Sequence, residues 1–114
     1  MTDKTLIDID YFWRAVANDS GLAAQVLESF TRSGDESMAL LQAAETYPAF
    51  KSAAHRLKGA ARSIGARPLA RQAEMAELAK DAPDGRQAVR ARDALKAQWA
   101  QVRAEASAMR RGID

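Results

Sequence analysis

With 114 residues, the chain is long enough to bury one hydrophobic core and too short for two domains. It contains no cysteine, which excludes a disulfide framework and a zinc–cysteine site. Its net charge is only +2, from 17 basic and 15 acidic side chains, and no dense basic cluster is interleaved with aromatics, so no nucleic-acid partner is expected.

No apolar run reaches the length of a membrane span, and the opening MTDKTLIDID lacks a basic segment followed by an apolar core. A soluble, cytoplasmic protein without a membrane partner is therefore expected. The charges are unevenly placed: residues 1–47 hold three basic and eight acidic side chains, residues 48–85 seven and four, and residues 86–111 seven and two.

Alanine, leucine, arginine, glutamate and glutamine dominate, and runs of β-branched and aromatic residues are missing, so the chain reads as all-α. A short first helix is expected over about 8–18, capped by Asp8, with Ile9, Phe12, Trp13 and Val16 on one face. The second helix opens near Asp19 or Ser20 and runs over about 20–45, with Ala23, Val26, Leu27, Phe30, Met38, Leu41 and Ala44 inward. Gly34, in SGDES, could break it, yet the apolar phase continues across the glycine and favours one long helix.

Tyr47 precedes a proline and is biased away from helical angles, whereas Pro48 suits a first helical turn. A third helix is thus expected over about 48–64, stopping at Gly65. A fourth is expected over about 67–80, where alanines crowd every side and leave the apolar face undefined. The segment DAPDG, 81–85, leads into a last helix over about 84–109, with Val89, Leu95, Trp99, Val102, Ala106 and Met109 in one stripe. Short connections force neighbouring helices into opposite directions. The expected architecture is an antiparallel up-down-up-down four-helix bundle with a short additional N-terminal helix, in a single domain over 1–114.

The chain has one histidine, His55, in the run AAHRLKGAARSIGA. At roughly 100° per residue, Phe50, Ala53, Ala54, Leu57, Ala61 and Ile64 gather opposite the histidine, so His55 points away from the core. Lys58, Gly59 and Arg62 share its face, and Lys51 lies one turn before it. A lone histidine is commonly a core or surface residue without special chemistry. Gly59 argues otherwise: a mid-helix glycine costs roughly 1 kcal/mol relative to alanine, and an ordinary solvated face has no reason to accept that cost. A bulky group that must approach the imidazole closely would need the clearance. Lys58, read as a like charge one turn away, is expected to keep the ring neutral and to balance an anion attached to it; alternatively it is a solvated helix lysine. A neutral nucleophile, a nearby cation and steric clearance together suit transfer of a phosphoryl group to and from nitrogen.

The stretch Ala54, His55, Leu57, Lys58, Gly59, Ala61, Ile64, Gly65 and Ala66 resembles the motif A-H-x-L-K-G-x-[AS]-x-x-[LIV]-G-[AS] of the histidine-containing phosphotransfer (HPt) domain. The likeness extends loosely over residues 8–80, with Leu69 and Glu77 where a leucine and a helix-D glutamate often lie. Ala60 departs from it, standing where the family often has a serine; if that hydroxyl orients the ring, Ser63 is a replacement only by its nearness in sequence.

The resemblance implies that His55 is the phosphorylated nucleophile, that Lys58 supports the phosphoryl group and that Gly59 gives a receiver domain room. Lys51, Arg56, Arg62 and Ser63 are the expected partner contacts, with simple solvation the alternative for Lys51 and Arg62. The implied partners are response-regulator receiver domains and, upstream, a hybrid histidine kinase.

No acidic cluster with ligand spacing lies near His55, and no phosphate-cradling glycine loop or ATP-binding domain is visible. The expectation is a free-standing, monomeric phosphocarrier and not a kinase. It binds no metal or cofactor itself and relies on Mg2+ supplied by the receiver. The competing expectation is a helical interaction module without phosphoryl chemistry, or an inhibitor docking on a histidine kinase or response regulator.

Overall fold

The computed structural model describes residues 5–80 and 83–113. Five helices and no strands occur among them: α1 (Ile9–Ala15), α2 (Ser20–Ala43), α3 (Tyr47–Ile64), α4 (Arg67–Glu77) and α5 (Arg86–Arg111). Local chemistry sets most of the ends. Asp8 and Asp19 cap α1 and α2 by accepting hydrogen bonds from the Tyr11 and Leu22 amides. Thr46 caps α3 through the Ala49 amide, with Pro48 in the first turn, and Gly65 closes that helix in the left-handed conformation at φ 80°.

Several boundaries differ from those read in the sequence. Helix α1 stops at Ala15 because Ala17 and Asn18 both take positive φ, and the Asn18 amide returns to the Trp13 carbonyl in a tight reversal. Helix α2 ends at Ala43, ahead of the extended Ala44, and α4 ends at Glu77. Helix α5 starts at Arg86; residues 81 and 82 of the connecting segment lie outside the described residues.

Each long helix packs against two others: α2 meets α3 and α5, and α4 meets α3 and α5, while α1 rests on α3. Between them lies one core built from Phe12, Leu27, Phe30, Leu41, Phe50, Leu57, Ile64, Leu69, Leu95, Trp99 and Val102 together with many alanines. Two residues expected inside are outside. Ile9 is 38 % exposed, and Ile7, which precedes the helix, is fully buried in its place. The reason is a tether: the Leu6 and Ile7 amides donate to the Glu105 carboxylate of α5, which turns Ile7 inward before α1 begins. Val89 is 39 % exposed, whereas Ala88 is buried. The α5 stripe runs 88, 95, 99, 102, 106, and the turn between 88 and 95 is filled by the Arg92 guanidinium lying 5.2 Å over the Phe50 ring.

Gly34 does not interrupt α2. It is buried, and the Trp99 ring occupies the space where its side chain would stand: a Cβ there would fall 2.0 Å from Cη2 of the ring. No helix among the described residues is long and apolar enough to cross a membrane.

Candidate functional site

The apolar face of α3, from Phe50 through Ala53, Ala54, Leu57 and Ala61 to Ile64, is buried, and this alone turns His55 outward; its side chain is 67 % exposed. The ring does not stand free. Glu77, from the last turn of α4, places Oε2 at 2.8 Å from His55 Nδ1 and Oε1 at 2.6 Å from Lys58 Nζ. Lys58 and Glu77 are both only 15 % exposed. The Lys58 ammonium, and then the imidazole, hold the Glu77 carboxyl below its ordinary value of 4.5, against the opposing effect of burial. Glu77 is therefore a carboxylate at neutral pH. A carboxylate only accepts, so Nδ1 carries the ring proton and donates it, and in the neutral ring the free lone pair sits on Nε2. No hydrogen-bond partner for Nε2 occurs among the described residues.

This arrangement gives Lys58 a partner that the sequence reading did not give it. Its charge does not act on the ring as an isolated like charge, because Glu77 lies between the two and is paired with both. Spacing along α3 could not show this, since Glu77 is 22 residues from His55 and arrives from another helix. The only signal for it in the sequence was its place in the family resemblance.

Gly59 is exposed, and a Cβ built on it meets nothing within 4 Å. The glycine thus relieves no crowding inside this chain. The other expected contacts surround the histidine face with their own neighbours. Arg56 reaches Glu36 of α2 at 3.7 Å, Arg62 reaches Glu74 of α4 at 3.5 Å, and Lys51 lies 5.9 Å over the Tyr47 ring. Ser63 donates to the Ala60 carbonyl at 2.7 Å, back onto its own helix, while the ring is met by Glu77. Among the described residues no three histidine, aspartate or glutamate side chains are grouped to hold a metal ion.

The site is thus an outward imidazole on an all-helical scaffold, held at Nδ1 by a carboxylate and without a hydrogen-bond partner at Nε2 among the described residues. The family model of the Hpt domain matches residues 23–105, most of the chain, and the protein belongs to that family. Hpt domains carry phosphoryl groups on histidine in phosphorelays, where they interact with receiver domains and kinases; they are carriers and not kinases themselves. Comparison with curated proteins and with solved structures gives no match.

Proposed function

We propose that this protein is a histidine phosphotransfer carrier in which Nε2 of His55 accepts a phosphoryl group from a receiver-domain aspartate and passes it to another receiver. The observation that carries the reading is the pairing of Nδ1 with Glu77, which leaves Nε2 as the exposed nucleophile. In the forward step the Nε2 lone pair attacks phosphorus, the P–O bond to the aspartyl carboxylate breaks, and the departing aspartate keeps the electron pair. The Nδ1 proton stays on the ring, and Glu77 faces the positive charge that the phosphorylated imidazole acquires. The return step is the same displacement by a second aspartate. Positioning and charge neutralisation dominate such transfers. Lys58, whose ammonium lies 2.6 Å from Glu77, offers a cation toward the phosphoryl oxygens, while Mg2+ comes from the receiver.

Gly59 supports the same reading: it is open in this chain, so its clearance serves an incoming surface, with Arg56, Arg62, Lys51 and Ser63 at the rim. The ring of contacts among α2, α3, α4 and α5, with two or three residues joining α2 to α3 and α3 to α4, supports an antiparallel up-down-up-down bundle as the scaffold. The carrier works as a cytoplasmic monomer, needing no cofactor of its own. Incubation with a receiver phosphorylated on aspartate tests the proposal. Acid-labile, base-stable label should appear on the protein and vanish in His55→Gln. A folded wild-type protein that takes no label would overturn it in favour of an interaction module or an inhibitor.

A further inference from the structure

An open hollow of about 330 Å³ lies where the end of α3 meets the start of α4. Arg62 and Gly65 line it from α3 and its cap, Arg67, Arg71 and Glu74 from α4, and Tyr11 from α1. Gly65 lets the Tyr11 ring close against the chain: it holds φ 80°, and a Cβ there would fall 2.8 Å from that ring. Three arginines thus converge on one hollow from two helices. Two carboxylates oppose them. Asp8 is committed twice, with Oδ1 accepting from the Tyr11 amide and Oδ2 lying 3.0 Å from Arg67. Glu74 lies 3.5 Å from Arg62, and both side chains are well exposed, so their pair adds little stability and leaves Arg62 most of its N–H donors. Arg71 has no ion pair or hydrogen bond among the described residues. The one positive charge in excess is therefore on Arg71.

The hollow opens beside the histidine. Arg62 shares the face of His55, seven residues or about 10 Å along α3, and Glu74 stands one turn before Glu77 on α4. A specific interface covers about 800 Å² on each partner, a patch roughly 30 Å across, so a protein seated on His55 also reaches the hollow. The other side of α3 differs in kind. There a hollow of about 230 Å³ against α2, with Val26, Ser29, Ser33, Ala60 and Ser63 in its walls, is lined by no charged side chain.

We infer that the arginine hollow is a socket for a carboxylate on the rim of the receiver that docks over His55, with Arg71 the residue that selects receivers carrying one. The inference rests on the carrier reading proposed above. A guanidinium fork matches a carboxylate in shape as well as charge, and Arg62 and Arg71 present such forks from two helices to one space. Because the α2 side of α3 offers no equivalent in its own hollow, an acid seated beside α4 fixes the rotation of the receiver about the histidine. Complementarity of this kind acts on encounter and on the choice of partner. The phosphoryl step itself stays with His55, Lys58 and Glu77.

The test follows label from the phosphorylated receiver domain that saturates the wild-type protein at the lowest concentration, with transfer rate measured as receiver concentration rises. In Arg71→Glu the half-saturating concentration should rise about tenfold, and in Arg71→Gln about threefold, with the rate at saturation unchanged. Both rises should shrink as salt is added. Arg90→Glu, the same change of charge at an exposed position of α5 outside the hollow, should alter neither quantity. Arg71 is exposed, so its variants keep the fold, which circular dichroism checks. Equal rises in Arg71→Glu and Arg90→Glu would overturn the inference, because net charge alone would then be felt, and so would a loss of rate at saturation. Half-saturation that Arg71→Glu leaves unchanged overturns it as well; if pyrophosphate nevertheless shifts the amides of residues 62–74, the hollow is a site for small anions only. A wild-type protein that no receiver labels overturns the carrier reading and this inference together, whereas normal labelling with indifferent Arg71 variants overturns this inference alone.

Discussion

Glu77 and Gly59 divide the work at the histidine between what this chain supplies and what it leaves open. The carboxylate fixes the ring from one side; the glycine keeps the next turn of α3 bare on the other. Because a Cβ at position 59 meets only open space, Gly59→Ala should make the isolated protein more stable, by up to about 1 kcal/mol, through the better helix propensity of alanine. Chemical denaturation measures that gain. The same variant should accept label from a phosphorylated receiver more slowly, and an unchanged transfer rate would remove the argument for clearance. Stability and transfer moving in opposite directions is an outcome that a purely structural glycine does not produce.

Among the elements, the seam between α2 and α5 is the most specifically built. The Trp99 ring sits over Gly34 and tilts against Phe30 with centroids 5.3 Å apart. Its indole N–H donates to Asp35 at 3.0 Å, and Arg103, one turn further along α5, donates to the same carboxylate at 2.8 Å. Gly34→Ala improves propensity but drives a methyl group into a rigid ring that polar contacts hold in place. The net effect should be a loss of about 1–3 kcal/mol, read from denaturation midpoints, with overpacking outweighing the propensity gain.

This seam also shows where reading the sequence reaches and where it stops. The continuous apolar phase across Gly34 indicated one helix, and Thr46, Pro48 and Gly65 bracket α3 by chemistry that acts within a few residues. That the glycine accommodates Trp99 could not be read, because the two are 65 positions apart. Ile9 and Val89 were misplaced for a related reason: periodicity assumes one unbroken stripe. A carboxylate from α5 seats Ile7 ahead of its helix, and an arginine over Phe50 takes a turn of the α5 stripe. At the site, His55 and its outward face followed from the wheel of α3, whereas its partner on α4 required the packed fold.

Across the whole molecule, several carboxylates link neighbouring helices, and two of them are shifted by the groups they hold: Asp35, which joins α2 to α5, and Glu77, which joins α4 to α3. The Arg103 guanidinium, aided by the Trp99 N–H, holds Asp35 below its ordinary 3.8, and Lys58 with His55 holds Glu77 below its ordinary 4.5. A carboxyl depressed in the folded state adds stability that is present above the unfolded value and lost as pH falls through the folded one. Denaturation midpoints should therefore be flat from neutral pH to about 5 and decline below about 4.5, and the decline should be shallower when Asp35→Asn is combined with Glu77→Gln. A double variant with an unaltered acid limb would show that other groups govern it.

The tether at residues 6 and 7 links sequence positions 99 apart, since Leu6 donates to Glu105. Closing a loop of that length costs entropy that no local turn repays, so it is made after the shorter-range pairings of helices. The Leu6 and Ile7 amides are accordingly expected to gain protection late in refolding, after those of α3, in pulse-labelled hydrogen exchange. Protection of both sets in a single early phase would mean that the two ends of the chain meet at the outset. These amides would otherwise act as a clock hand, marking the moment at which the fold is complete.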